Sequence, residues 1–190
     1  MKEIKNSRLF ITNSGKLLDF KNICIDDICL EDIAHHLTKI CRYGGALPFN
    51  VHYSVAQHSI LLSKYASLEL NNQELAKLAI LHDATEAYMG DIVSGVKQML
   101  PDYKKLEDNL EQLIFNKYNI KFTKELKDKM KYIDSTFVLD EAYWLFNKAY
   151  KYFRKELPGR DLLGITVNIE YPEDIKTEFL SRCALFNIYD

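Results

Sequence analysis

Residues 73–91 read QELAKLAILHDATEAYMGD, and they indicate the type of fold more clearly than any other part of the chain. Apolar residues recur here every three or four positions, which is the spacing of one face of an α-helix. The pattern predicts a helix over 73–88. Because residues three or four apart share a helix face, we expect His82 and Glu86 to stack, with Asp83 beside them.

Helical spacing continues along most of the chain, which has only 7 glycines and 4 prolines among 190 residues. Helix breakers are therefore scarce, and long helices are favoured. The first segment differs, because two short apolar runs flank Gly15 and predict a β-hairpin. We predict an all-α helical bundle with a short N-terminal β-hairpin, as one domain over 1–190 in which 1–25 form the hairpin appendage. The strands are predicted over 9–12 and 17–20, and the further helices over 30–41, from Ser54 onward, and over 92–100, 103–118, 123–157 and 172–186.

The composition is that of an ordinary globular protein, with 47% hydrophobic and 27% charged residues. The 25 lysines and arginines are balanced by 27 acidic residues, and a formal net charge of -2 gives no field that would hold a long nucleic acid. No apolar run approaches the ~18 residues of a membrane span, and the N-terminus lacks the apolar core of a signal peptide. The 4 cysteines form no CxxC pair and are expected as free thiols. We therefore expect a cytoplasmic protein without a membrane partner.

Two further polar residues, His58 and Asp134, lie among apolar positions of other predicted helices. A buried charge at such a position needs a partner or a metal. Each candidate also has an ordinary structural interpretation: a hydrogen-bonded core histidine, an interhelical salt bridge or, for His82-Asp83, a helix end with its own ion pair. Taken together, three predicted helices offer two imidazoles and two carboxylates, a mixed nitrogen and oxygen set that suits manganese, iron, cobalt or zinc.

The order His58, His82-Asp83 and Asp134 resembles the H…HD…D signature of the HD-domain phosphohydrolase superfamily. The sequence around these four residues resembles in particular a subgroup that contains bacterial 5'-deoxynucleotidases and phage enzymes that hydrolyse dATP and related triphosphates. The resemblance implies an all-helical HD domain around a metal held by His58, His82, Asp83 and Asp134. The likeness covers almost the whole chain, since it extends to the hairpin and to residues 31–45, 53–59, 81–92 and 172–186.

The same resemblance implies roles for residues around the metal. Glu86 matches the catalytic carboxylate that follows the HD pair, and Arg42 matches a basic residue that contacts the substrate. Asp91 matches an acidic residue that meets the sugar 3'-hydroxyl, and Lys97 lies where a lysine would face the phosphate.

Position suggests two more substrate contacts. His52 precedes the metal-ligand histidine by a few residues, and Tyr43 or Phe49 offers a ring to stack on the base, with simple packing as the alternative. One departure from the subgroup concerns Ala46, which stands where many members have a histidine. If that histidine touches base or phosphate in relatives, substrate choice differs here.

One metal ion is expected rather than two. Two-metal HD proteins need extra histidines between the HD pair and the last aspartate, and residues 84–133 contain none. We therefore expect a single divalent ion, which would be cobalt, manganese, zinc, iron or magnesium.

These observations predict a metal-dependent phosphohydrolase whose substrates are deoxynucleoside 5'-monophosphates. The alternative is a triphosphohydrolase that acts on dATP-like nucleotides at the same site, and a non-catalytic nucleotide-binding HD scaffold is a third interpretation. In each case the partner is a small nucleotide. A homo-oligomer is also expected for the family, and the aromatic-rich residues 143–153 could supply its contact, although core packing explains them equally well.

Overall fold

A computed structural model of the chain describes residues 9–48, 50–146 and 150–190. Strands β1 (Leu9–Ile11) and β2 (Leu17–Asp19) pair antiparallel, with Phe10 opposite Leu18. Gly15 supplies the positive φ of 83° that the connecting turn needs. The predicted β-hairpin is therefore confirmed.

Helices make up the remaining regular structure of the described residues, which confirms the predicted all-α class. Short 3-10 turns, Ile25–Asp27 and Arg42–Gly45, precede and follow the first helix. Within the described ranges, none of the helices combines the length and the apolar character that a membrane crossing requires. The α-helices are α1 (Leu30–Leu37), α2 (Val55–Leu68), α3 (Gln73–Leu81), α4 (Glu86–Met89), α5 (Ser94–Lys97), α6 (Pro101–Lys117), α7 (Lys124–Phe146), α8 (Tyr150–Glu156) and α9 (Pro172–Leu185).

Helices α2 and α3 both begin at side-chain caps. The Ser54 hydroxyl accepts a hydrogen bond from the Gln57 N–H at 3.2 Å, at the start of α2. The Asn72 side chain accepts one from the Leu75 N–H at 3.0 Å, at the start of α3. Such a cap contributes about 1 kcal/mol to helix stability. Both helices start where the sequence pattern predicts.

Helix α2 lies at the centre of the bundle, where it contacts α1, α3, α7 and α9. Its residues Val55, His58 and Leu62 are fully buried. A fully buried aliphatic side chain contributes about 1.5–3 kcal/mol relative to an exposed one. Because neighbours enclose α2 on several sides, the position of each of its buried side chains is closely fixed.

The prediction of one helix over 73–88 is wrong, because the structure ends α3 at Leu81 and begins α4 at Glu86. Between them the backbone tightens: the Ala84 N–H donates to the Leu81 carbonyl and the Glu86 N–H to the Asp83 carbonyl, each at 3.0 Å and each three residues back. The His82 imidazole contributes to this change, since its Nδ1–H donates to the Ala79 carbonyl at 2.7 Å. A side chain thus takes an acceptor that a continuing helix would use.

Other boundaries differ by a few residues. Helix α1 ends at Leu37 rather than near 41, and α5 is shorter than predicted. Pro101 opens α6 at its first turn, where its missing N–H costs nothing. The predicted helix over 123–157 appears as α7 and α8, with residues 147–149 outside the described part of the chain.

Three rings of the aromatic stretch 143–153 are only partly enclosed. Tyr143, Trp144 and Tyr152 are 51%, 49% and 60% exposed, so core packing does not account for these three rings. The homo-oligomer stays a prediction.

Candidate functional site

A cavity of about 550 Å³ opens where the 3-10 turn Arg42–Gly45, the end of α3, the residues before α5 and the middle of α7 meet. Its lining is rich in charged side chains and includes most of the residues selected from the sequence. Those on its wall are Arg42, Tyr43, Asp83, Glu86, Asp91, Lys97 and Asp134.

Three of the predicted metal ligands converge at one side of this cavity. His58 comes from α2, His82 from the end of α3 and Asp134 from α7, and one ligand atom of each lies within 4.8 Å of the others. The Oδ1 atom of Asp134 is 3.2 Å from His58 Nε2 and 3.9 Å from His82 Nε2. Both Nε2 atoms are buried and have no hydrogen-bond partner among the described residues. Buried polar atoms are normally satisfied, so this nitrogen and oxygen set fits a divalent cation.

Asp83 lies beside these ligands but is not part of the group of three. Its Oδ2 atom is 3.2 Å from His82 Nε2, 3.8 Å from His58 Nε2 and 3.6 Å from Arg42 Nη1. Burial alone would raise the pKa of Asp83, but His82, His58 and Arg42 hold that pKa well below its usual range. Asp83 is therefore an anion next to the cluster, and its role as a fourth ligand stays a prediction.

His82 is the histidine whose protonation responds most to this arrangement. Burial disfavours its charged form, yet the Asp83 and Asp134 carboxylates outweigh that effect and raise the pKa of His82 to about 9. Since Nδ1 donates to the Ala79 carbonyl, Nε2 is the nitrogen that faces the carboxylates. Without a cation, a proton on Nε2 balances the acidic charge, and a metal ion would replace that proton.

Glu86 and Asp91 form the acidic part of the wall farther from the histidines. Burial, followed by the nearby Asp83 and Asp91 charges, raises the pKa of Glu86 well above its usual value. Its Oε2 atom is buried without a hydrogen-bond partner in the described structure, and its Oε1 atom is 3.9 Å from Lys97 Nζ. Burial also raises the pKa of Asp91. A carboxyl group with a raised pKa can hold a proton near neutral pH, as general acid–base chemistry requires.

Two cationic side chains face this acidic wall, and each is already paired with an acidic side chain that does not line the cavity. Arg42 forms an ion pair with Glu141, with Nε 3.2 Å from Oε1. Lys97 Nζ lies 2.6 Å from the Oε1 atom of Glu107 on α6. Arg42 and Lys97 were predicted from the sequence, but neither of their acidic partners was.

Glu141 is the more important of the missed residues. It is fully buried and accepts hydrogen bonds from His58 Nδ1 at 2.7 Å, from the Tyr53 hydroxyl at 2.8 Å and from the Tyr43 hydroxyl. Burial would raise its pKa, but Arg42 and His58 lower the pKa of Glu141 to about 2. The residue lies seven positions after Asp134, on the same face of α7, and that spacing could have revealed it.

Tyr43 lies on the cavity wall in a strained backbone conformation. Its φ of 58° is left-handed, which costs a residue with a side chain of this size about 1–3 kcal/mol. The ring packs edge-on against Phe146, with centroids 5.0 Å apart. The ring therefore lies on the wall that a nucleotide would contact, and the role of Tyr43 in substrate binding stays a prediction.

His52 is the predicted site residue that the structure does not bring to the cavity. Its Nε2–H donates to the Thr38 carbonyl at 2.8 Å, at the end of α1. The other suggested ring, Phe49, lies outside the described residues.

Comparison with known proteins identifies the family of the chain. The family model for YfbR-like 5'-deoxynucleotidases matches residues 48–150, which include His58, His82, Asp83 and Asp134. The chain is 45% identical over 109 residues to the uncharacterized protein YfdR of Escherichia coli K12, and the match spans 57% of each chain. It is 29% identical over 178 residues to the uncharacterized protein RCAP_rcc00048 of Rhodobacter capsulatus, covering 89% of this chain and 90% of that one. Because the family model spans more than half of the 190 residues, the chain belongs to the YfbR-like 5'-deoxynucleotidase family of the HD-domain superfamily.

Proposed function

We propose that this protein is a metal-dependent phosphohydrolase that removes the 5'-phosphate from deoxynucleoside monophosphates. One observation carries the proposal: two buried imidazole nitrogens without hydrogen-bond partners face the same carboxylate at the wall of a charged cavity. The family of the chain supports phosphohydrolase chemistry.

His58, His82 and Asp134 would hold the cation, with Asp83 as the fourth ligand proposed from the sequence. When bound, a divalent ion such as cobalt, manganese, zinc, iron or magnesium supplies Lewis-acid polarisation of a phosphoryl oxygen and acidifies water. The side chains of the protein would orient the substrate, balance its charge and transfer protons.

We assign the proton transfer to Glu86. Its buried Oε2 atom has no partner in the described structure, so this atom is available to take up or give back a proton. The raised pKa of Glu86 keeps the proton within reach at neutral pH. Lys97, whose Nζ is 3.9 Å from Oε1, limits that rise by stabilising the ionised form.

Arg42 and Lys97 are the groups that would meet the phosphate, and Asp91 would accept the sugar 3'-hydroxyl. Arg42 can form paired hydrogen bonds to phosphate oxygens, which fixes orientation as well as charge. Tyr43 stands next to Arg42 on the same wall and would meet the sugar or base.

The charge balance of the cavity supports a monophosphate rather than a triphosphate. Among the described lining residues, 2 cationic side chains face 4 carboxyl groups. Both cations already have acidic partners, Glu141 and Glu107. A phosphate monoester brings only about -1.5 to -2 charge at pH 7, so it needs the least further compensation from two cations that their acidic partners already offset in part. A triphosphate would bring more charge than this wall offers.

The test is a panel of deoxynucleoside mono-, di- and triphosphates, with the matching ribonucleotides, assayed with each of the five metals. We expect inorganic phosphate from deoxynucleoside 5'-monophosphates. Release of tripolyphosphate from dATP, with monophosphates left intact, would replace this substrate class by the triphosphate alternative. A metal-loaded protein without activity on any nucleotide would favour the scaffold interpretation.

A further inference from the structure

Glu141 lies directly behind the metal-ligand histidine, on the side away from the cavity. Its Oε1 atom accepts the His58 Nδ1–H at 2.7 Å and the Tyr53 hydroxyl at 2.8 Å. The same carboxylate pairs with Arg42, with 3.2 Å between Oε1 and Nε and 3.3 Å between Oε2 and Nη2, and it accepts the Tyr43 hydroxyl. One buried carboxylate therefore contacts both the cation-binding cluster and the cavity wall.

The contact with His58 decides which ring nitrogen carries the hydrogen. A carboxylate only accepts, so Nδ1 must donate, and the Nε2 lone pair of the neutral ring then points at Asp134. His58 is fully buried and its ring stacks on Phe137, with centroids 5.3 Å apart. Packing limits the ring plane, but the hydrogen bond selects the tautomer. Partners of this kind make a histidine a stronger metal ligand.

The contacts with Arg42 and Tyr43 act on a different element. These two residues belong to the 3-10 turn Arg42–Gly45, in which Tyr43 has its left-handed φ of 58°. A backbone held in such a conformation needs surrounding contacts to keep it there. Glu141 supplies two of them, one to the guanidinium and one to the phenol.

We propose that Glu141 is the positioning residue of this site, which fixes the tautomer and direction of His58 and holds Arg42 and Tyr43 on the cavity wall. The inference rests on the proposed function in that it treats His58 as a metal ligand and Arg42 as a substrate contact. Glu141 would thus connect the cation-binding cluster and the substrate-binding wall through one side chain.

The neighbouring Asp140 provides a matched control. It is also buried on α7, at 2% exposure, but its carboxylate accepts the Leu163 and Ile165 N–H groups, each at 2.8 Å. Its hydrogen bonds fasten a loop and do not reach the histidines. A purely structural effect of removing a buried negative charge should appear in both D140N and E141Q.

The experiment measures metal affinity of the stripped protein by calorimetric titration with Mn²⁺ and Co²⁺, together with thermal unfolding. We expect E141Q to bind metal about 10- to 100-fold more weakly than wild type, and D140N to bind as wild type does. At saturating metal, E141Q should recover most of its kcat but keep a raised KM, because Arg42 stays unfixed. Unchanged metal affinity in E141Q, or an equal loss in D140N, overturns the proposal.

A measurement on the wild-type protein covers the case in which E141Q does not fold. The ¹⁵N chemical shifts of the histidine rings in the metal-free protein report the tautomer of each. We expect His58 to carry its hydrogen on Nδ1, and a hydrogen on Nε2 of the neutral ring overturns the proposal. Metal affinity and the histidine tautomer are both measured without a nucleotide. If metal affinity falls in E141Q but wild type hydrolyses no nucleotide, the proposed function fails and the positioning role stands.

Discussion

The cavity has a buried side and an exposed side. The helical bundle fully encloses His58 and Glu141, which we call the floor of the site. Val93 and Val96, beside the cavity, are 56% and 51% exposed. The second pair belongs to what we call the rim, residues 91–97, where the short helix α5 has no buried residue. The floor is held by α2 and α7 and by a network of hydrogen bonds; the rim is held mainly by its contacts with α6.

This difference indicates that metal binding and substrate binding depend on different parts of the site. The two side chains of the floor are preorganised, so a cation would find His58 already in place and lose little affinity to reorganisation of that ligand. Groups on the rim have fewer buried contacts, and local opening there costs less free energy. Substitutions on the floor should therefore change metal binding, and substitutions on the rim should change substrate binding with the metal retained.

The largest effect is expected for Asp134→Ala. Asp134 lies between both unpartnered imidazole nitrogens, and its side chain is 40% exposed, so its removal should abolish metal binding and activity with little loss of helix. Metal content by mass spectrometry, circular dichroism and phosphate release would measure the three properties. Asp128→Ala, at an exposed carboxylate on the same helix, is the matched control and should behave as wild type. Activity in metal-free D134A would remove the basis of the proposed mechanism.

A smaller effect is expected for Glu86→Gln. The variant keeps the shape of the side chain but cannot exchange a proton, so kcat should fall by at least ~10² while the bound metal is retained. Metal content and kcat measured on the same preparation separate the two roles. A wild-type kcat in E86Q would exclude Glu86 from proton transfer.

Lys97→Met should have a weaker effect that is confined to the substrate. The loss of one phosphate contact on the rim should raise KM by about tenfold, equivalent to ~1.4 kcal/mol, without changing metal affinity. Lys104→Met removes an exposed lysine of α6 that pairs with Asp108 at 3.2 Å, and it should leave KM unchanged. If K97M instead loses metal, the separation between floor and rim is wrong.

The smallest effect on catalysis is expected at Asp32, which belongs to neither the floor nor the rim. This buried carboxylate accepts the Ser14 N–H and the Ser14 hydroxyl, each at 2.7 Å, and so attaches the hairpin turn to α1. Burial would raise its pKa, but the hydrogen bonds from Ser14 and Thr12 lower the pKa of Asp32 below its ordinary 3.8. A lowered pKa stabilises the fold above pH 3.8, and this stabilisation is lost as the pH falls through the folded-state value.

Asp32→Asn should therefore cost about 1–3 kcal/mol of unfolding free energy at pH 7, with kcat unchanged. The difference from wild type should shrink as the pH falls below 3.8. Chemical denaturation at several pH values measures it, and a difference that is constant with pH would show that the ionised carboxylate contributes nothing.

Sequence patterns were enough to predict the helical class and the hairpin, whereas Arg42, Glu86, Asp91 and Lys97 on the cavity wall were predicted from the family resemblance. Periodicity contributed two of the site residues. Periodicity predicted His58 and Asp134, because these polar residues interrupt apolar helix faces and such interruptions can be read from the sequence alone. The seven-residue spacing from Asp134 places Glu141 on the same face of α7, but it does not show the contacts with Tyr53, Arg42 and His58, which come from other elements. Long-range contacts of this kind do not appear in local spacing.

The break between α3 and α4 was missed for a related reason. The pattern of apolar residues runs through it without interruption, and the tightened backbone depends in part on the His82 imidazole binding the Ala79 carbonyl. Periodicity describes which side faces the core, but it does not register a side chain that competes for a backbone acceptor.

The tight turns over 82–86 also restrict how this segment can change in evolution. With about three residues per turn, one inserted residue would rotate everything after it by about 120°. Glu86 would then point away from the cavity while His82 kept its place, so a single insertion would separate the carboxyl group proposed for proton transfer from the histidine proposed for cation binding. A change in the length of this segment would therefore disrupt the proposed site as fully as the loss of His82 or Glu86.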